Sequence, residues 1–215
     1  MLERGAATCS HAELIQNPED TATLARWGVP ERRLFNLGNG IDLGRFDRRE
    51  AMAGERRELR AEWGVSDKTP VVVTVGRLVA EKGFRELFEA HRRLRRSGSN
   101  HELVVVGPTE AGKADGLTEA EVAEATADGL RLVGFSDRPE RYYAAGDVFV
   151  LASHREGFPR AAMEASAMGL PVIATDIRGC RQVVDDDVTG LLVPVKDAGA
   201  LEAALGRPPT VAVHH

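Results

Sequence analysis

Short, unbroken runs of β-branched and aliphatic residues recur along the chain, each followed by a segment that reads as a helix. The first clear run, Val71-Val72-Val73-Thr74-Val75, predicts a strand, with a helix from about Lys82 to Arg96 after it. Leu103 to Val106 predicts a second strand, ending at Gly107-Pro108. A helix near Thr118 to Ala127 follows, where Thr118 and Glu121 have the spacing of a capping box. Leu130 to Val133 predicts a third strand and Arg138 to Ala145 a short helix. Val148 to Leu151 is the fourth strand, Pro171 to Thr175 the fifth and Gly190 to Val195 the sixth. Strands that are apolar throughout, rather than alternating, belong in a parallel sheet with helices over both faces. The alternation predicts an α/β fold, a doubly wound, Rossmann-like parallel sheet of about six strands, with binding loops at the strands' carboxyl ends.

The two ends depart from this pattern. Ala12 to Gln16 predicts a short strand, Thr21 to Trp27 a helix and Leu34 to Leu37 a strand, after which Gly38-Asn39-Gly40 breaks the run. One such unit cannot bury its own faces, so residues 1–45 are expected to be the remnant of a preceding domain and its linker. A polar helix from about Arg48 to Trp63 leads into the main domain, expected over 46–206. Residues 207–215, opening Arg207-Pro208-Pro209-Thr210, read as an irregular tail with no closing helix, and His214-His215 is set aside from fold reasoning.

A pair of carboxylates draws the eye to one loop. Glu156 and Glu164 stand eight apart in Glu156-Gly157-Phe158-Pro159-Arg160-Ala161-Ala162-Met163-Glu164, directly after the fourth strand. Pro159 suits the first position of a helix, where its missing N–H costs nothing. Phe158, at the expected cap, offers no oxygen to the first-turn amides. A helix start without a cap carries partial positive charge and suits a phosphate or hydroxyl oxygen. Glu164, one turn in, leans back toward that start. The plain alternative is that Glu156 caps a turn and Glu164 is a solvated helix charge.

A second loop, Gly76-Arg77-Leu78-Val79-Ala80-Glu81-Lys82-Gly83, follows the first strand. Gly76 permits close backbone approach, Arg77 offers a fork for phosphate oxygens, and Lys82 adds a point charge. Two cations five apart could neutralise a diphosphate. In a third loop, Gly134-Phe135-Ser136-Asp137-Arg138, Phe135 or Arg138 could stack on a nucleobase, or be a core ring and a solvated cation. Asp185-Asp186-Asp187 reads as a turn rather than a metal site, and His154 as a polar loop residue.

Bulk properties narrow the field. Net charge is −5, which gives no basic footprint for nucleic acid. The 43% hydrophobic and 28% charged content is that of an ordinary globular chain. Cys9 and Cys180 form neither a disulfide framework nor a metal-ligand spacing, so a reducing compartment is expected. No apolar run approaches membrane-spanning length, and no signal peptide is evident. Dinucleotide, P-loop, serine hydrolase and zinc protease motifs are absent.

Taken in order, these segments resemble the carboxyl-terminal domain of the GT-B retaining glycosyltransferases of glycosyltransferase family 4. The carriers are Gly76 through Gly83, Glu156 through Ala165, Gly169-Leu170-Pro171-Val172-Ile173-Ala174-Thr175 and Thr189-Gly190-Leu191-Leu192-Val193-Pro194. Gln16-Asn17-Pro18-Glu19-Asp20 and Gly38-Asn39-Gly40-Ile41-Asp42 are similar to the end of that family's amino-terminal domain.

The resemblance implies a UDP- or GDP-linked sugar as donor substrate, no cofactor and no metal. Arg77 and Lys82 would hold the diphosphate and stabilise charge on the leaving nucleotide. Glu156 would meet donor-sugar hydroxyls, with the Gly157, Phe158, Pro159 and Arg160 backbone contacting sugar and phosphate. Glu164 would accept from ribose hydroxyls, and the Gly134–Arg138 loop would meet the base. The acceptor, a sugar, polysaccharide or lipid-linked intermediate, would be met by the family's other domain, nearly all of which lies outside this sequence, as does the late helix that crosses back between domains. The expected location is the cytoplasm, with room for peripheral association at the inner membrane surface. Two alternatives stand beside transfer: a non-catalytic nucleotide-sugar binding module, or another GT-B enzyme such as a nucleotide-sugar 2-epimerase, which the paired loops disfavour.

Overall fold

In the computed structural model, residues 5, 9–47, 50–110 and 112–207 are described. Strands β3 (Val71–Val75), β4 (Glu102–Val106), β5 (Leu130–Gly134), β6 (Val148–Leu151), β7 (Val172–Thr175) and β8 (Gly190–Val193) form one sheet in the order β5-β4-β3-β6-β7-β8. Every pairing is parallel.

Side-chain alternation sorts the strand residues onto two cores. Val72, Val105, Val150 and Ile173 pack under helices α3 (Phe84–Arg96), α4 (Glu119–Ala127) and α7 (Ala198–Gly206). Val73, Val104, Phe149 and Val172 face the opposite core, with α5 (Pro139–Ala145) and α6 (Arg160–Ala167). Because both faces are covered, Val71 to Thr74 are all buried, which is why the run lacks polar alternation.

Helix α2 (Glu50–Glu62) is joined to the sheet by a buried cation. Arg60 donates to the carbonyls of Ala145 (3.0 Å), Ser66 (2.7 Å) and Thr69 (2.6 Å), and lies 3.2 Å from Asp147. A charge this deep is tolerated because it is paired and multiply hydrogen-bonded. Under α3, His91 Nδ1 lies 2.8 Å from His101 Nε2, and Ser99 Oγ lies 2.9 Å from His101 Nδ1. Both imidazoles are buried.

Ahead of the sheet, β1 (Glu13–Ile15) and β2 (Leu34–Asn36) pair in parallel, joined by α1 (Pro18–Arg26). Asn17 caps α1 by accepting from the Glu19 amide at 2.9 Å, with Pro18 at the first helical position. The Asn17 side chain also donates to the carbonyls of Arg178 (3.1 Å) and Gly157 (3.4 Å). Arg178 pairs with Asp20, and Arg181 with Glu19 at 2.9 Å. The β1–α1–β2 unit therefore sits on the loops after β6 and β7.

Several expectations need correction. The helix predicted from Lys82 begins at Phe84, because Gly83 takes φ 69° and separates it from a 3₁₀ turn over Ala80–Lys82. The helix predicted from Thr21 begins at Pro18. Pro159 is the cap residue rather than the first helical one, which displaces Phe158 from that role. Helix α7 was not anticipated at all. The capping box of Thr118 and Glu121 is present. Part of the helix start predicted near Arg48, and the tail from 208, lie outside the described residues.

Candidate functional site

The strand order creates the site. From β3 the chain steps outward through β4 to β5, returns to β6 on the other side of β3, and steps outward again to β8. The crevice at the carboxyl ends of β3 and β6 is thus a topological switch point, where open α/β sheets bind ligands. The loops it brings together are residues 76–83 and 152–160.

The 76–83 loop is stiffened by the loop after β4. Leu78 N–H donates to Pro108 O (3.0 Å), Ala80 N–H to Asp115 O (2.7 Å), and Leu117 N–H to Leu78 O (3.0 Å). Leu78 and Val79 are fully buried, leaving Arg77 on the rim with its side chain 51% exposed. Arg77 lies 4.0 Å from Glu110, which also pairs with Lys113 at 2.5 Å.

Gly83 brings the two loops into contact. A Cβ built on it would stand 1.9 Å from the Ala152 carbonyl oxygen. His154 N–H donates to Glu81 O at 2.7 Å, and His154 Nε2 lies 3.0 Å from Glu86 Oε1, so the segments are joined at both ends. Lys82 Nζ then rests 2.6 Å from Glu156 Oε1, which also accepts from Ser153 Oγ at 2.8 Å. Ser153 is fully buried, and its carbonyl accepts from Thr175 Oγ1. Gly179 closes the other side, where a Cβ would stand 2.6 Å from Glu156 O. Glu156 is therefore held by loops from three strands. Burial pushes the neighbouring Cys180 thiol up to about 12, which keeps it inert.

Helix α6 starts without a side-chain cap, so no side-chain oxygen meets its first amides. Pro159 is buried, Phe158 half-buried, and Gly157 and Arg160 exposed. Glu164 Oε2 accepts from the Tyr143 hydroxyl at 3.0 Å, and its Oε1 lies 4.0 Å from Arg160 Nη2. Burial raises the Glu164 carboxyl above its ordinary value, against the Tyr143 hydrogen bond and the nearby Arg160.

The remaining predicted residues lie further along the rim. Gly76 donates its N–H to Val106 O at 2.9 Å. Phe135 is 77% exposed at the end of β5. Arg138 pairs with Glu55 of α2 at 2.8 Å and with Glu140 at 3.4 Å. Asp185 to Asp187 lie away from this rim, in the turn that enters β8 at its amino end, where Asp186 Oδ1 accepts from Leu192 N–H at 2.8 Å. Among the described residues no group of three or more His, Cys, Asp or Glu could hold a metal ion. No described helix is long and apolar enough to cross a membrane.

Sequence reasoning did not find Ser153, Tyr143 or Glu110. Tyr143 reaches Glu164 from another helix, 21 residues away, so only the tertiary fold shows that contact; Ser153 stands three residues before Glu156 in the same loop, where its hydroxyl donates to the carboxylate locally. Glu110 carries no local signal.

A family model described as Glycosyl transferases group 1 matches residues 55–207. D-inositol 3-phosphate glycosyltransferase of Geodermatophilus obscurus is 32% identical over 209 residues, which cover 90% of this chain and 45% of the relative. The chain thus spans about half the length of such relatives. Sucrose-phosphate synthase from Thermosynechococcus elongatus superposes with a TM-score of 0.80 at 30% identity, over 96% of this chain and 51% of that one. HepE of Anabaena in complex with UDP shares the fold, with a TM-score of 0.81 at 20% identity, over 94% of this chain and 54% of that one. Because the family model takes in more than half of the chain, including the β3 and β6 loops with Lys82, Glu156 and Glu164, the chain belongs to the group 1 glycosyl transferases.

Proposed function

We propose that this chain is the donor-binding half of a retaining glycosyltransferase of family 4, taking a sugar from a nucleoside diphosphate and passing it to an acceptor held mainly by the rest of the enzyme. The observation that carries the reading is the contact of Lys82 with Glu156 at the β3–β6 switch point, beside the uncapped start of α6. A cation and a carboxylate side by side suit a ligand whose diphosphate adjoins a hydroxyl-rich sugar. HepE, which has this fold, holds UDP, and UDP is therefore the first probe.

In this reading Arg77 and Lys82 meet the diphosphate and stabilise the charge that grows on it as the glycosidic bond to the nucleotide breaks. Glu156 accepts hydrogen bonds from the transferred sugar, and the amides of Gly157 to Arg160 lie beside sugar and phosphate oxygens. Glu164 accepts from the ribose, and the 134–138 loop, with Phe135 and Arg138, flanks the base. The acceptor hydroxyl attacks the same face from which the nucleotide departs, and the anomeric configuration is kept. Residues 1–45 belong, on this reading, with the acceptor half, and 46–206 form the donor domain.

The test is thermal melting of the full chain with UDP and with GDP. Ligand at a hundred times its Kd stabilises by about 2.7 kcal/mol, so one of the two raises the melting temperature by several degrees. No shift with either nucleotide, from folded protein, sinks the reading. Robust sugar transfer by this chain alone would refute the need for an acceptor half.

A further inference from the structure

We propose that Tyr143 is a positioning residue: its phenol fixes one oxygen of Glu164 and so presents the other to the ribose diol, which makes the site selective for ribonucleotides over their deoxy counterparts. The proposal rests on the reading of Glu164 as the ribose-facing carboxylate.

The geometry begins with the ring. Tyr143 projects from α5 into the core shared with α6 and is fully buried. Phe46 and Phe149 pack edge-on against it, at centroid distances of 6.1 and 5.7 Å. A ring held on two sides has no alternative rotamer, so its hydroxyl points one way. That hydroxyl meets Glu164 Oε2 at 3.0 Å. An ionised carboxylate can only accept, so the phenol is the donor. Burial and the adjacent Glu164 charge keep the phenol protonated, which preserves that role.

The consequence falls on Oε1. It is the oxygen on the side of Arg160, 4.0 Å from that guanidinium at the start of α6, the helix end that follows the crevice loop 152–160. Its lone pairs can accept from one or two ligand hydroxyls. Without the phenol, rotation about the last side-chain bond would leave neither oxygen committed, and a diol would have to order the group on binding.

The experiment is calorimetric titration of the full chain with UDP and with 2′,3′-dideoxy-UDP, alongside melting curves. The unaltered chain binds UDP more tightly than the dideoxy nucleotide. Glu164→Ala abolishes that preference; if the preference survives, the ribose reading falls and the proposal with it. Tyr143→Phe keeps the ring and removes only the hydroxyl, and lowers UDP affinity about five-fold, the worth of one hydrogen bond. Its affinity for the dideoxy nucleotide stays within about two-fold, so the preference shrinks. Equal losses for both nucleotides, or an unchanged preference while Glu164→Ala removes it, would overturn the proposal and leave the ribose reading standing. Glu164→Asp provides a second route should the phenylalanine variant not fold. It keeps the charge but is one methylene too short to span phenol and diol, so the preference drops; full retention would overturn the proposal. Binding of neither nucleotide by the unaltered chain overturns both.

Discussion

Gly83 lies so close beneath the Ala152 carbonyl that a methyl group on its Cα would stand 1.9 Å from the oxygen. The same residue has φ 69°, a conformation that L side chains resist. Gly83→Ala is therefore expected to destabilise the fold by roughly 1–3 kcal/mol and to separate Lys82 from Glu156. Gly54→Ala is the counterpart: this helical position is exposed with nothing within 4 Å, and the change should stabilise by about 0.5–1 kcal/mol. Urea unfolding of the two variants checks both signs.

Arg77 and Lys82 should separate stability from binding. Arg77 is exposed and faces Glu110 at 4.0 Å, so Arg77→Ala should change the melting temperature little. Each of Arg77→Ala and Lys82→Ala should weaken UDP binding about ten-fold or more, the worth of a charge-assisted hydrogen bond. Titration at two salt concentrations should show a shallower salt dependence for both variants. An unchanged affinity in either would remove that cation from the proposed diphosphate site.

How much of this was legible in the chain depended on what each feature answers to. Strands β3 and β6 could be read to the residue because burial on both faces leaves apolar side chains at every position but Thr74. Helix α7 was missed because Ala198-Gly199-Ala200-Leu201-Glu202-Ala203-Ala204-Leu205-Gly206 is built from small residues with little apolar stripe; the signal was its cap, Asp197, which accepts from Ala200 N–H at 2.9 Å. The 3₁₀ turn at Lys82 was hidden because Gly83 breaks a pattern that otherwise continues as helix. Within the site, the glutamates and cations stand out as charges on strand-end loops. Their partners do not: Tyr143 meets Glu164 only through the tertiary fold, and Ser153, although three residues before Glu156, carries no charge to mark it.

The His91–His101 pair makes stability depend on pH. Burial, His91 and Arg95 push the His101 imidazole down to about 4, and burial likewise lowers His91. The unfolded chain therefore binds more protons between about pH 6.5 and 4. The stabilisation is fully present above about pH 6.5 and is lost as pH falls toward 4, by on the order of 3 kcal/mol for His101. Unfolding free energies at pH 7.5, 6 and 5 should fall in that order, and His101→Asn should flatten the slope. A slope unchanged by that substitution would place the titration elsewhere.

Asn17 joins the β1–α1–β2 unit to the sheet through the Gly157 and Arg178 carbonyls. Asn17→Ala removes a helix cap and leaves those carbonyls without this donor, at a cost of about 1–3 kcal/mol. Because the loss is local, proteolysis at Trp27 and Phe35 should accelerate while the sheet stays protected. Equal protection of the unit in variant and parent would show that the Arg178–Asp20 and Arg181–Glu19 pairs suffice.

The loop after β7 has two loads on it. Through Gly179 it presses on the backbone of Glu156, and through Arg178 and Arg181 it seats the β1–α1–β2 unit. A single rigid segment with a carboxylate on one side and a helix on the other acts as a lever, and linkage through it runs both ways. Whatever holds the Glu156 backbone more firmly therefore also steadies the seat of the first unit on the sheet.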